Sequence, residues 1–359
     1  MPPAANWRCG KPTGPKQPRP VYSDGGSWGE SRMLDLRRRE FITLLGGAAV
    51  AWPLVARAQQ PVTKPLRIGV LANEWLPPIE SLREGLRERG YVEGQNLQFE
   101  YRWAQDRNER YPPLAAELVA LPVDVIVTWG TPAALAAKRA TSTIPIIMGA
   151  IGDPLRVGVV SNLARPGANI TGFAALTFEM EEKRLELLKE LLPGRFSRIA
   201  VFTTTNPAVR GALQNMQSAA AAFGVTLYPL EINEVKDFDD AFQAIRRDRP
   251  DAAMVLADTF LGGHLARIAA FMAQIGLPAI YPYRHGVEEG GLISYATNYH
   301  SLFRRTAEYI DRILKGAPPG DLPVQLPTAF ELVINLKTAK ALGLDVPLTL
   351  VARATEVIE

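Results

Sequence analysis

From Leu66 onward, short β-branched runs alternate with helical patterns at a spacing of about 25 residues, and this rhythm constrains the fold more than any other feature of the chain. Strands separated by crossover helices close as βαβ units with their strands parallel. The pattern predicts strands over 66–71, 97–101, 123–129, 144–150 and 170–173, with helices over 79–89, 111–120, 132–140 and a short one over 155–163. It then restarts, with strands over 198–202, 225–230, 252–256, 278–281 and 292–295 and helices over 180–192, 208–223, 238–247 and 259–275. A late helix over 301–314 spaces Leu302, Phe303, Ala307, Ile310, Ile313 and Leu314 at helical period, so it should pack on a sheet face. Two consecutive series of this kind in 359 residues imply an α/β chain of two doubly wound parallel-sheet lobes facing one another across a cleft. Ligands of such sheets sit beyond the carboxyl ends of the strands, so function is sought in the loops there.

The front of the chain has a different character. Residues 37–58 begin with three arginines, continue through an apolar run over 41–55, and end in small residues, the three-part layout of an export signal. That run is shorter than the roughly 20 residues a spanning helix needs, and Gly46, Gly47 and Pro53 weaken it further. Arg38-Arg39-Glu40-Phe41-Ile42 resembles a twin-arginine signal, and Ala56-Arg57-Ala58 supplies a small-x-small site for cleavage before Gln59. The mature protein is therefore expected in the periplasm. Residues 1–36 are proline-rich and precede or flank a second methionine, Met33, and read as a non-native or disordered extension.

Charge and cysteine content narrow the function classes. Nine of the 40 basic and four of the 37 acidic residues precede position 59, which leaves the body near neutrality at −2. No basic face for nucleic acid or anionic lipid is expected. The single cysteine, Cys9, permits neither a disulfide framework nor a cysteine-rich metal site. His264, His285 and His300 lack metal-ligand spacing and read as surface or capping histidines. Neither a P-loop nor a dinucleotide fingerprint occurs. Gly25-Gly26-Ser27-Trp28-Gly29 matches a nucleophile-elbow pattern without its strand-turn-helix setting. No cofactor, metal or catalytic residue is assigned, and the chain reads as a binding protein rather than an enzyme.

The strand-end loops offer the candidate ligand contacts. In Thr128-Trp129-Gly130-Thr131-Pro132-Ala133, a buried-type strand turns through glycine into a helix. Free amides there and the Thr131 hydroxyl suit a carboxylate, while the alternative is that Thr131 only caps the helix. After the first strand, Asn73 and Trp75 stand in a proline-stiffened loop, where Trp75 either stacks on a ligand or anchors the loop. Asp153 follows the fourth strand as a cap or an ammonium acceptor. On the second lobe, Thr204, Thr205 and Asn206 cluster before a helix, with capping by Asn206 as the alternative to ligand contact. Asp258 and Thr259 follow the third strand of that lobe, and a carboxylate at 258 could receive an α-ammonium group. Loss of Thr131 or Asp258 is expected to weaken binding without harming the fold. Tyr283 reads as a cleft residue and Tyr281 as core.

Several stretches together carry a family resemblance. Val127-Thr128-Trp129-Gly130-Thr131-Pro132-Ala133-Ala134, Gly152-Asp153-Pro154-Leu155, Leu163-Ala164-Arg165-Pro166-Gly167-Ala168-Asn169-Ile170-Thr171-Gly172 and Phe330-Glu331-Leu332-Val333-Ile334-Asn335-Leu336-Lys337-Thr338-Ala339-Lys340-Ala341-Leu342-Gly343 resemble the ABC-transporter substrate-binding family that includes tryptophan/tyrosine binders. The resemblance spans about 64–359 and implies a type I periplasmic binding fold with three hinge crossings, near 171–175, 295–299 and 316–322. Lobe 1 would then comprise 64–172 plus 297–318, and lobe 2 would comprise 173–296 plus 319–359. It also implies a small solute, an aromatic amino acid in members of known ligand, handed to ABC permease and ATPase subunits; the protein itself is expected to be a monomer. A sensing subunit of the same fold and a secreted α/β enzyme stay open as alternatives. Ala168 stands where the family usually has a second glycine, which argues against a positive φ there.

Overall fold

Twelve strands and twelve α-helices alternate along the described residues of a computed structural model, 64–74, 78–194 and 196–359. Trp75, the export signal over 37–58, its cleavage site and the extension over 1–36 lie outside them. The first sheet contains β1 (Leu66–Ala72), β2 (Leu97–Trp103), β3 (Val125–Trp129), β4 (Ile146–Ile151) and β5 (Ile170–Ala174) in the order β2-β1-β3-β4-β5. Every neighbouring pair in it is parallel. β3 and β4 are buried along their whole length, which is why they read as unbroken apolar runs rather than as alternation.

Helices α1 (Pro78–Glu88), α2 (Tyr111–Ala120) and α3 (Thr131–Ala140) connect these strands. The second series uses α4 (Thr177–Leu191), β6 (Arg198–Thr203), α5 (Pro207–Phe223), β7 (Thr226–Glu231), α6 (Asp237–Asp248), β8 (Ala252–Val255), α7 (Thr259–Gly263), α8 (Leu265–Ile275), β9 (Ala279–Tyr281), α9 (His285–Glu288) and β10 (Ile293–Thr297). Helix α10 (Tyr299–Leu314) follows, then β11 (Phe330–Asn335), α11 (Leu336–Ala341), α12 (Leu348–Arg353) and β12 (Glu356–Ile358). The second sheet runs β12-β11-β10-β9-β8-β6-β7. Its β7-β6-β8-β9-β10 portion repeats the order of the first sheet, all parallel. β11 then adds antiparallel to β10, and β12 parallel to β11, an extension the strand rhythm did not predict.

Helix α10 buries Leu302, Phe303, Thr306, Ala307, Tyr309, Ile310 and Ile313 against α1 and the first sheet, as its spacing predicts. Although it follows β10 of the second sheet, it belongs to the core of the first. The chain therefore passes between sheets three times. From β5 it leaves through Ala175 and Leu176, returns through Asn298, and leaves again over 326–329. The crossings lie side by side, because the Thr297 hydroxyl donates to the Ala175 carbonyl at 3.3 Å and the Asn298 amide donates to the Ala329 carbonyl at 3.0 Å.

Four expectations differ from what is found. The third crossing comes later than 316–322, since the Thr171 hydroxyl donates to the Leu322 carbonyl and the Gln325 amide to the Gly172 carbonyl, holding 322–325 along the edge of β5. Residues 155–163 form turns rather than a helix, because Asp153 caps a single turn that ends at Gly158 with φ 73°. The single helix expected over 259–275 breaks at His264, after two glycines, into α7 and α8. Ala168 does adopt a positive φ, 52°, beside Gly167 at 70°, in a turn secured by the Gly167 amide donating to the Gly320 carbonyl. Among the described residues no helix is long and apolar enough to cross a membrane.

Candidate functional site: a two-compartment cleft

In the order β2-β1-β3-β4-β5 the crossover direction reverses between β1 and β3, and in the second sheet it reverses between β6 and β8. The loops leaving those strands carry Asn73, Gly130 and Thr131 on one side and Thr204, Asn206, Asp258 and Thr259 on the other. They meet. The Thr259 methyl group stands 2.8 Å from where a Cβ on Gly130 would be, and the Asn73 side-chain amide reaches toward the Thr259 carbonyl at 3.5 Å.

Two connected compartments lie between the sheets. The inner one is lined by Thr131, Gly152, Thr177, Asn206, Asp258 and Thr259 among others. The outer one is lined by Pro78, Trp129, Tyr283, Tyr299 and the polar side chains of Arg284, His285, Glu288, His300 and Glu331. Trp129, Thr259, Tyr283 and Tyr299 face both, which makes the compartments one continuous cleft. The aromatic wall is built by contact: Trp129 lies 5.1 Å from Tyr299 at 57°, Tyr283 lies 5.3 Å from Tyr299 at 56°, and His285 stacks on Tyr283 at 5.6 Å. Burial pushes the Tyr283 hydroxyl well above its ordinary pKa and that of Tyr299 up to about 12, so both stay protonated and able to donate.

Gly130, with φ 84° and ψ 155°, is the N-cap of α3. Thr131 is thus the first helical residue and not the cap. Its buried side chain lines the inner compartment instead, next to first-turn amides that have no intrahelical acceptor. Asp258 does cap α7, accepting from the Phe260 and Leu261 amides at 2.8 and 3.2 Å, while its other oxygen accepts from Asn206 at 2.9 Å and Thr204 at 3.3 Å. Burial raises its pKa in spite of those four donors. Removing this carboxylate would therefore cost a cap and a buried network as well as ligand contact, contrary to the expectation of an intact fold. Asn206 caps α5 through Ala208 and faces the cleft as well.

The other candidates are placed elsewhere. Pro132 does not line either compartment, and Ala133 packs in the core of the first lobe. Asp153 caps Leu155 and Arg156 and pairs with the Arg156 guanidinium at 3.2 Å. Thr204 reaches the site through Asp258 and through the Asn206 amide, from which it accepts at 3.2 Å, and Thr205 is exposed and bonded to Asn233. Tyr281 is buried in the core of the second lobe. Asn73 grips Asp106, donating to its carboxylate at 2.7 Å and accepting from its amide at 2.8 Å. His285 and His300, read as surface or capping groups, line the outer compartment. The strand ends that carry them converge there, which residue spacing alone does not reveal.

The cleft rim is bridged as well. His264 Nε2 lies 3.2 Å from the Asp106 carboxylate across the lobes. Glu74 faces Gly263 there, with its pKa raised by burial and then by Asp106. Because the Asp106–His264 pair is partly exposed, Asp106→Asn is expected to weaken solute affinity by no more than about fivefold in a calorimetric titration. A loss beyond tenfold would show that the rim contributes far more than a screened pair can.

Sequence comparison then decides the family. Residues 77–358 match the family described as ABC transporter substrate binding protein. The chain belongs to that family. Proteins of this family bind the substrates of ABC transporters. Over 286 residues the chain is 26% identical to a tyrosine-binding protein of Clostridioides difficile, covering 79% of this chain and 82% of that one. A crystal structure of a conserved domain protein from Vibrio cholerae aligns with TM-score 0.77 at 31% identity, over 82% of this chain and all of that one. A Streptococcus pneumoniae ABC domain in complex with L-Trp aligns with TM-score 0.75 at 26% identity, with the same coverage. The fold of this substrate-binding protein is accordingly the type I periplasmic binding architecture, two α/β lobes about a cleft. Trp129, Thr177, Tyr299, Arg284 and Glu331 were missed as site residues in its sequence, and the one available signal was Glu331, a lone acid in the apolar run 330–334.

Proposed function

We propose that this chain is the exported solute-capturing subunit of an ABC importer and that it encloses an aromatic amino acid in the two-compartment cleft. The observation that carries this reading is the junction of a compartment rich in hydroxyls and amides with one walled by Trp129, Tyr283 and Tyr299. An amino acid has the same division, a charged head and an apolar body. The Thr131 hydroxyl and the first-turn amides of α3 suit its carboxylate. The negative field of Asp258 favours its ammonium group. The aromatic walls suit a ring. The names of the relatives, a tyrosine-binding protein and an L-Trp complex, agree with this solute class.

In this reading the ligand-contacting set is Gly130, Thr131, Asn206, Asp258, Thr259 and Tyr283 together with Trp129 and Tyr299. The protein acts as a monomer in the periplasm after cleavage before Gln59, delivering solute to permease and ATPase subunits. Lobe 1 comprises the first sheet with α10, and lobe 2 the second sheet.

Mass spectrometry of solute released from the purified protein, followed by calorimetry with the twenty amino acids, tests this. An aromatic amino acid is expected. Recovery of a sugar or a chemically altered compound would overturn the reading. Thr131→Ala removes a neutral hydroxyl and is expected to weaken binding by up to about tenfold without lowering the melting temperature.

A further inference from the structure

Two acidic side chains that line the cleft are almost fully buried, and they are satisfied very differently. Asp258 receives four donors, two on each oxygen. Glu331 is 4% exposed and lines the outer compartment, yet among the described residues the only polar contact of its carboxylate is the Arg284 guanidinium at 3.5 Å. Arg284 is itself engaged more closely by Glu288 at 2.8 Å and Glu356 at 2.7 Å. Three carboxylates around one guanidinium leave this end of the cleft net negative. That contact occupies one oxygen, and the other faces the compartment with no protein donor among the described residues, so a solute that displaces water there must replace the lost hydration with a donor of its own.

Resting on the reading that the cleft holds an aromatic amino acid, we infer that Glu331 sets specificity by accepting a hydrogen bond from a donor at the far end of the solute's ring. The inner compartment takes the head group, Trp129, Tyr283 and Tyr299 take the ring, and the ring's distal edge meets Glu331. A phenol O–H or an indole N–H supplies the missing donor. A phenyl ring supplies none, and its binding would seal Glu331 away from water without a partner. A ring bearing an outward carboxylate would meet like charge. The solute class is therefore an aromatic amino acid with a donor on its ring, and phenylalanine is discriminated against.

The experiment is a calorimetric titration of the full-length mature protein with tyrosine, tryptophan, phenylalanine and 4-fluorophenylalanine, repeated with Glu331→Gln and Glu331→Ala. Wild type is expected to prefer tyrosine or tryptophan over phenylalanine by on the order of ten- to a hundredfold, with 4-fluorophenylalanine, similar in size to tyrosine but without a donor, grouping with phenylalanine. Glu331→Ala should compress the phenylalanine-to-tyrosine ratio of dissociation constants toward one, and Glu331→Gln, whose amide oxygen still accepts but without charge, should compress it part of the way. A purely structural role for Glu331 would weaken all four solutes in parallel and leave the ratio unchanged, and that result would overturn the inference. So would tyrosine and phenylalanine binding equally to wild type, with the function proposed above left standing. Failure of all four to bind wild type would instead overturn that function, and this inference with it. The Gln variant preserves shape, so the ratio stays measurable should Glu331→Ala fold poorly.

Discussion

Gly130→Ala is expected to weaken solute binding by about a hundredfold while the protein remains folded. Two effects combine at this position. Its φ of 84° with ψ of 155° belongs to a backbone region that is essentially restricted to glycine, at a cost of about 1–3 kcal/mol for other residues. The added methyl group would also stand 2.8 Å from the Thr259 methyl on the opposite lobe, well inside contact distance. The second effect exists only when the lobes are together, so it acts on the closed arrangement and lowers its population. A penalty of about 3 kcal/mol on that state reduces apparent affinity about a hundredfold. Thr259→Ser removes the methyl group that clashes, and the double variant should regain part of the loss. A dissociation constant within threefold of wild type for Gly130→Ala would contradict the close approach of these loops.

The largest effect on stability is expected from Arg184→Met. Arg184 and Glu181 on α4 are 1% and 0% exposed and lie 2.5 Å apart. Arg184 donates to the Tyr295 carbonyl at 2.7 Å and to the Pro282 carbonyl at 3.4 Å, and Glu181 accepts from the Ala257 amide at 2.9 Å. One helix, the first after the crossing at 175–176, thereby holds the backbone that follows β8 and β9 and the middle of β10. Removing one member of a buried pair costs about 3–5 kcal/mol, because the other charge stays desolvated and unpaired. For a chain of this size that corresponds to a melting temperature lower by on the order of 10 °C in calorimetry. The double variant Glu181→Leu with Arg184→Met removes both charges and should recover most of the loss. A single variant that melts like wild type would show that water reaches the pair.

The parts of this fold legible in its sequence are those where one local rule dominates. The segments that became β3 and β4 announce themselves because both faces are covered, and α10 because its apolar spacing matches a single buried stripe. β11 was harder to read. Phe330-Glu331-Leu332-Val333 mixes an exposed aromatic with a buried acid, and its pairing partner β10 stands more than 30 residues earlier. The helix expected over 155–163 failed because proline, a capping aspartate and a positive-φ glycine outweighed its apolar content.

The site divides in the same way. Thr131, Asn206, Asp258, Thr259 and Tyr283 could be reached by asking which residues follow strands at the carboxyl edge of each sheet. Glu331 and Tyr299 could not, since one arrives on an antiparallel strand and the other opens a helix that crosses back to the first sheet. Trp75, the most conspicuous aromatic of the loops, lies outside the described residues, so the outer compartment rests on Trp129, Tyr283 and Tyr299.

The three strips of chain joining the halves are laced to one another by the Thr297–Ala175 and Asn298–Ala329 bonds. A door hung on three adjoining knuckles can swing but cannot sag or twist. In the function proposed above, closing on cargo held against the wall of Trp129 and Tyr299 would change the gap at the rim, where Asp106 faces His264. In that function the spacing of the rim would report occupancy to a docking partner that never touches the cargo.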